Sequence, residues 1–257
     1  MKKTLEVCKH LALLAGEAIM EIYETDFGVV QKEDSSPLTQ ADMRANKIIV
    51  EGLKKEFPHY AILSEEEKDS ADRLENDWCF IVDPLDGTKQ FIKKDGQFTV
   101  NIALSYQGKV VVGVVYAPAL NELYYAAKGL GSFLDTANSL EIPLQVSHKL
   151  NELTIVMSEL HRSEKEEELL EAQSTKISQV ISCGSSLKGC MVAAGKADVY
   201  YRYGLTCEWD VAAMQCVVEQ AGGLFMQLDA TPMTYNRKNV LNEKGFLAVN
   251  RQENVWV

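Results

Sequence analysis

From Trp78 the sequence runs Trp-Cys-Phe-Ile-Val and passes directly into Asp83-Pro84-Leu85-Asp86-Gly87-Thr88. An apolar strand that ends in two carboxylates three residues apart gives a rigid mount for ligands. Pro84 fixes the backbone after the first acid, and Gly87 removes a side chain that would obstruct close approach to the chain. Asp83, the Leu85 carbonyl and Asp86 form an oxygen-only donor set of the kind that octahedral Mg2+ takes. The amides of Gly87 and Thr88 are placed to open a helix, where free N–H groups receive a phosphate oxygen. Taken alone, the run is also consistent with a solvated Asp-Gly turn after an edge strand. Its meaning depends on the rest of the chain.

Leu5, Cys8, Leu11, Ala12, Ala15, Ile19 and Ile22 recur at helical spacing and predict an amphipathic helix over Thr4 to Glu24. A second helix is predicted from Thr39 to Phe57, with Thr39 and Asp42 spaced as a capping box and Pro58 beyond its end. Strand and turn are expected at 25 to 38. Short β-rich runs at 78 to 82, 98 to 106, 109 to 116 and 122 to 127 predict an antiparallel sheet. Beyond residue 135 the pattern alternates: strands near 153, 177, 198, 224 and 246, with helices near 163 to 174, 185 to 194 and 208 to 221. A layered α+β chain of two halves, 1–135 and 136–257, is therefore expected.

Acidic residues outnumber basic ones, 37 against 26, for a net charge of −11, which disfavours a nucleic-acid polymer or an anionic membrane as partner. The six cysteines are scattered without a Cys-x-x-Cys pair, as buried free thiols in a reducing compartment are. No segment approaches the length of a membrane span, and Glu6, Lys9 and His10 interrupt any signal-peptide core. A cytoplasmic location follows as an expectation, with peripheral membrane contact and oligomeric state left open.

Further acids accompany the central run. Leu63-Ser64-Glu65-Glu66-Glu67 is a second apolar run ending in carboxylates, and Glu208-Trp209-Asp210 puts acids in the first turn of a helix. Each has an ordinary alternative, an exposed acidic loop for the first and a dipole-complementing acid for the second. Together, in this order, they resemble the signature of the inositol monophosphatase and fructose bisphosphatase superfamily. The resemblance extends from Pro37–Asp42 to Tyr235-Asn236-Arg237-Lys238 and implies an αβαβα sandwich. Within it, Thr88–Ile92, Phe98–Leu104, Gly184-Ser185-Ser186-Leu187-Lys188 and Tyr235–Lys238 look like the branch of 3'(2'),5'-bisphosphate nucleotidases of the CysQ type.

By that resemblance Glu65, Asp83, the Leu85 carbonyl, Asp86 and Asp210 bind two or three Mg2+ ions. Thr88, polarised by Asp42, orients the attacking water with help from Glu65. The implied reaction removes the 3'-phosphate of 3'-phosphoadenosine 5'-phosphate to give AMP, with the phosphosulfate form as a second substrate, a place in sulfur assimilation and sensitivity to Li+. Substrate contacts are expected from Glu65, Leu85, Asp86, Gly87, Thr88, His161, Ser185, Lys188, Arg202 and Asp210. Lys188 and Arg202 would take the second phosphate, although a helix lysine and a strand-end arginine are as often plain surface charges. The Glu164–Glu168 run reads as a solvated helix face. Inositol monophosphatases carry a Glu where this chain has Tyr203, so an inositol or other sugar phosphate is the second substrate class. A non-catalytic metal- or nucleotide-binding sensor is the third reading. Leu205 stands where relatives often have proline.

Overall fold

Leu5, Cys8, Leu11, Ala12, Ala15 and Ile19 are buried along one face of α1 (Lys2–Tyr23), as their spacing predicts. Each such Leu or Ile contributes roughly 1.5–3 kcal/mol by leaving water. The computed structural model describes residues 1–25, 29–31, 37–158 and 162–256, the side chains of 29–31 and 37–39 excepted. In chain order α1 is followed by β1 (Val29–Gln31), β2 (Pro37–Thr39), α2 (Gln40–Glu56), β3 (Ala61–Ser64), β4 (Trp78–Asp86), α3 (Thr88–Lys93), β5 (Thr99–Tyr106), β6 (Lys109–Ala117) and β7 (Glu122–Ala127). Then come β8 (Gly131–Asp135), β9 (Ile142–Pro143), β10 (Leu153–Ser158), α4 (Glu164–Ala172), β11 (Ile177–Cys183), α5 (Leu187–Ala193), β12 (Val199–Arg202), α6 (Glu208–Gln220), β13 (Leu224–Gln227) and β14 (Phe246–Val249).

The strands β3 to β9 lie side by side in sequence order as a seven-stranded sheet. The four β-rich runs predicted to pair antiparallel do so, and β3 joins the outer side of β4 in parallel. A five-stranded sheet of order β11-β10-β12-β14-β13 follows. Helices α1 and α2 pack their apolar faces with Phe80, Val82, Ile102 and Val114 on one side of the first sheet. The other side, with Ile81, Ala103 and Val115, shares a core with α5, α6 and the second sheet's Tyr200, Phe246 and Ala248. Leu169 of α4 and the C-terminal Trp256 close the outer face of the second sheet. The result is the αβαβα sandwich.

Close seating of α6 on the first sheet has a local cause. A Cβ added at Gly113 in β6 would lie 2.3 Å from the Ala213 carbonyl oxygen, so only glycine lets the helix backbone rest there. That contact brings the start of α6 toward the end of β4.

Candidate active site

Adjacent residues of a strand point to opposite faces, so acids at positions i and i+3 should diverge. Asp83 and Asp86 do not, because β4 carries a bulge between them: Asp83 lies opposite Asn101 and Asp86 opposite Thr99. Their carboxylates therefore converge. The Leu85 N–H donates to Asp83 Oδ1 at 3.1 Å, and the Thr88 hydroxyl donates to the Leu85 carbonyl at 3.3 Å, which tightens the turn. Gly87 caps α3 in the left-handed region at φ 92°, and a Cβ there would meet the Gln97 carbonyl at 3.1 Å.

Asp210 arrives from the first turn of α6, its Oδ2 accepting the Cys207 N–H at 2.6 Å. Asp83, Asp86 and Asp210 thereby bring carboxylate oxygens within 4.8 Å of one another. Glu65, just beyond the end of β3, stands outside this trio among the described residues but close enough that its charge acts on both Asp83 and Asp210. Burial, and then the charges of Glu65, Asp86, Asp210 and Asp42, push the Asp83 carboxyl well above the ordinary carboxylate range. Burial, followed by Asp86, pushes Asp210 up to about 8. Asp86 is also raised by burial, but Lys188 and hydrogen bonds from Ser186 and Asn101 oppose the rise. Several acids that cannot ionise together without compensation, all presenting oxygen, are a donor set for hard divalent cations.

Beside the cage opens a cavity of about 300 Å³, lined among others by Asp86, Thr88, Ser185, Lys188, Arg202 and Asp210. Lys188 is not an exposed helix lysine: it is buried, donates Nζ to the Ser185 carbonyl at 2.6 Å and sits 5.5 Å from the Tyr200 ring centre. Burial lowers its pKa, and the facing Asp86 works against that fall. Ser185 Oγ is enclosed without a hydrogen-bond partner among the described residues, and Ser185 lines the cavity. Arg202 ends β12, and strand alternation sends it with Tyr200 into the cavity while Tyr201 and Tyr203 pack toward α4. Leu205 forms part of the cavity rim and is exposed.

The expectation of a wholly solvated Glu164–Glu168 face is corrected at Glu166. That residue is buried, accepts the Ser163 N–H at 2.5 Å and lies 3.9 Å from Arg202 Nη1. An acid at the third position of a helix turned toward a buried arginine leaves water to pair with it. His161 and the Thr39 side chain lie outside the described residues. Asp42 is buried in the first turn of α2 and is near enough to raise Asp83.

Three supporting residues were passed over in the sequence. Ser186 donates its N–H to Asp86 Oδ2 at 2.7 Å, and its hydroxyl to the Asp210 carbonyl at 2.8 Å. Asn101 Nδ2 reaches Asp86 Oδ2 at 3.4 Å and Ser186 Oγ at 2.9 Å, and Thr99 Oγ1 reaches Asp86 Oδ2 at 3.4 Å. The available signal was a polar residue inside the apolar run Phe98–Leu104. Tyr235–Lys238 contributes nothing to the cavity wall.

A family model described as the inositol monophosphatase family matches residues 1–255. The 3'(2'),5'-bisphosphate nucleotidase CysQ of Salmonella typhimurium is 39% identical over 246 residues, covering 94% of this chain and 97% of that protein. Its namesake from Aggregatibacter actinomycetemcomitans is 33% identical, over 96% of this chain and 93% of that one. Among solved structures, CysQ from Bacteroides thetaiotaomicron superposes with a TM-score of 0.86 at 36% identity, over 98% and 99% of the two chains. The suppressor protein SuhB of Bartonella henselae gives 0.80 at 29%, over 97% and 94%.

Proposed function

The chain belongs to the inositol monophosphatase family, and on that premise we propose that it is a Mg2+-dependent 3'(2'),5'-bisphosphate nucleotidase, cleaving 3'-phosphoadenosine 5'-phosphate to AMP and phosphate. The observation that carries this reading is one cavity with two chemistries: Asp86 and Asp210, which converge with Asp83, line it together with buried Lys188 and Arg202. A monophosphate would need only the acids. A second phosphate matches the two cations, since charge-assisted bonds from lysine and arginine are the strong way to hold it.

Glu65, Asp83, the Leu85 carbonyl, Asp86 and Asp210 would hold two or three Mg2+ ions between them. Bound divalent cations supply Lewis-acid charge and make water more acidic. Thr88 Oγ1 and Asp42 would orient the attacking water and take its proton. Ser185 Oγ and His161 would complete the contacts to the nucleotide. Tyr203, turned away from the cavity, leaves no acid there to read inositol hydroxyls.

Release of phosphate from purified protein, compared across 3'-phosphoadenosine 5'-phosphate, its phosphosulfate form, inositol 1-phosphate and a hexose phosphate, tests the reading. Preference for the two nucleotides is expected. Equal or better use of inositol 1-phosphate would overturn it.

A further inference from the structure

The Tyr235–Lys238 run lies behind the cage. Glu208, fully buried two residues before Asp210, accepts the Asn236 N–H at 2.7 Å on one oxygen. Its other oxygen accepts the Arg237 N–H at 2.9 Å and Arg237 Nε at 3.1 Å. The far end of that guanidinium donates to Asn242 Oδ1 at 2.6 Å, and Asn242 Nδ2 donates to the Cys207 carbonyl at 2.8 Å. Cys207 is the residue whose N–H holds Asp210. The start of α6 is therefore clamped at Glu208 and at Cys207 from one segment.

That segment is tied in turn to the other half of the cage. Arg73, buried in the 3₁₀ turn Ala71–Glu75, donates to Asn236 Oδ1 at 2.8 Å and to the Arg237 carbonyl at 2.9 Å. It also forks onto Asp69 at 2.6 and 3.0 Å, four residues beyond Glu65 in the same loop. A continuous series of charge-assisted bonds thus runs from the Glu65 loop to the helix turn that bears Asp210.

Carboxylates gathered in one buried cage repel one another before any cation arrives, so the cage spreads unless its walls are fixed. We propose that Glu208, Arg237 and Arg73 are positioning residues that fix the separation of Asp210 from the ligands on the β3 and β4 side. Their loss then weakens metal binding rather than the chemical step. The inference rests on the reading of Asp210 as a metal ligand.

The test is the Mg2+ activation curve, read as half-activating concentration and as kcat at saturating Mg2+, for Glu208→Gln and Arg73→Lys of the full chain. Tyr201→Phe serves as reference, since among the described residues its hydroxyl bonds to Asn254 and Trp256 on the outer face. The half-activating concentration is expected to rise about 10-fold in both variants, the scale seen when residues behind metal ligands are changed, with kcat nearly restored at high Mg2+. The reference should leave it unmoved. An unchanged half-activating concentration in Arg73→Lys and in whatever Glu208→Gln protein folds would overturn the proposal, however far the Tm falls. Asp210→Asn separates the two levels: wild-type Mg2+ dependence there defeats the site reading itself. Loss of activity there, with normal curves in the other two, defeats only the positioning role.

Discussion

The backbone N–H of Ser186 donates to Asp86 Oδ2 at 2.7 Å, so a residue just ahead of α5 holds a carboxylate mounted on β4, 100 positions earlier in the chain. Asn101 and Thr99 add weaker contacts to the same oxygen, and Lys188 faces it. Asp86→Asn removes a carboxylate proposed to bind metal and can set an amide group against those donors. A fall in kcat on the order of 100-fold is expected, with the far-ultraviolet dichroism unchanged. Wild-type turnover would remove Asp86 from the cage.

Among the described residues Lys188 lies buried with one hydrogen bond, to the Ser185 carbonyl, which leaves two of its N–H donors for a ligand. Lys188→Ala should therefore reduce kcat/KM for the bisphosphate by roughly 10- to 100-fold, the range for losing a charged hydrogen bond. A sugar monophosphate should lose much less. Steady-state kinetics on both substrates decide it, and equal losses would take Lys188 out of the second phosphate site.

The layers were legible because the periodicity was: the helical spacing of Leu5 to Ile19 and the apolar runs of β4 to β7 allow few other arrangements. The Asp83-to-Thr88 turn was legible as well, since its residue types are chemically unusual in sequence. What stayed hidden depends on burial that charge alone does not announce. Glu166 and Lys188 look like surface residues, and only Arg202 and Asp86, far away in sequence, explain why they are inside. The bulge that turns Asp83 and Asp86 to one side is a property of the pairing with β5. Likewise Tyr235–Lys238 resembled its branch without revealing that Asn236 and Arg237 hydrogen-bond Glu208.

Removal of divalent cations is expected to abolish activity. Without cations the cage offers no positive charge to an incoming phosphate dianion, and its acids either hold protons or repel it. Excess EDTA should reduce phosphate release to background, and added Mg2+ should restore it. Li+ should inhibit, as the family resemblance implies. Full activity in EDTA would rule out this chemistry.

Asp210 also predicts how stability depends on pH. Burial and Asp86 raise its carboxyl from the usual 3.8 to about 8, so between those values the folded chain holds a proton that the unfolded chain has lost. Asp83 is displaced in the same direction. Stability from these groups is complete below the unfolded value and declines as pH rises through the folded one. In EDTA the Tm should therefore fall between about pH 5 and pH 8, more steeply than in Asp210→Asn. Saturating Mg2+ binds the ionised cage, so its stabilising shift should be larger at pH 8 than at pH 5. Thermal melts at both pH values, with and without Mg2+, measure this directly. A Mg2+ shift that is the same at both, or the same in Asp210→Asn, would mean that the cations bind elsewhere.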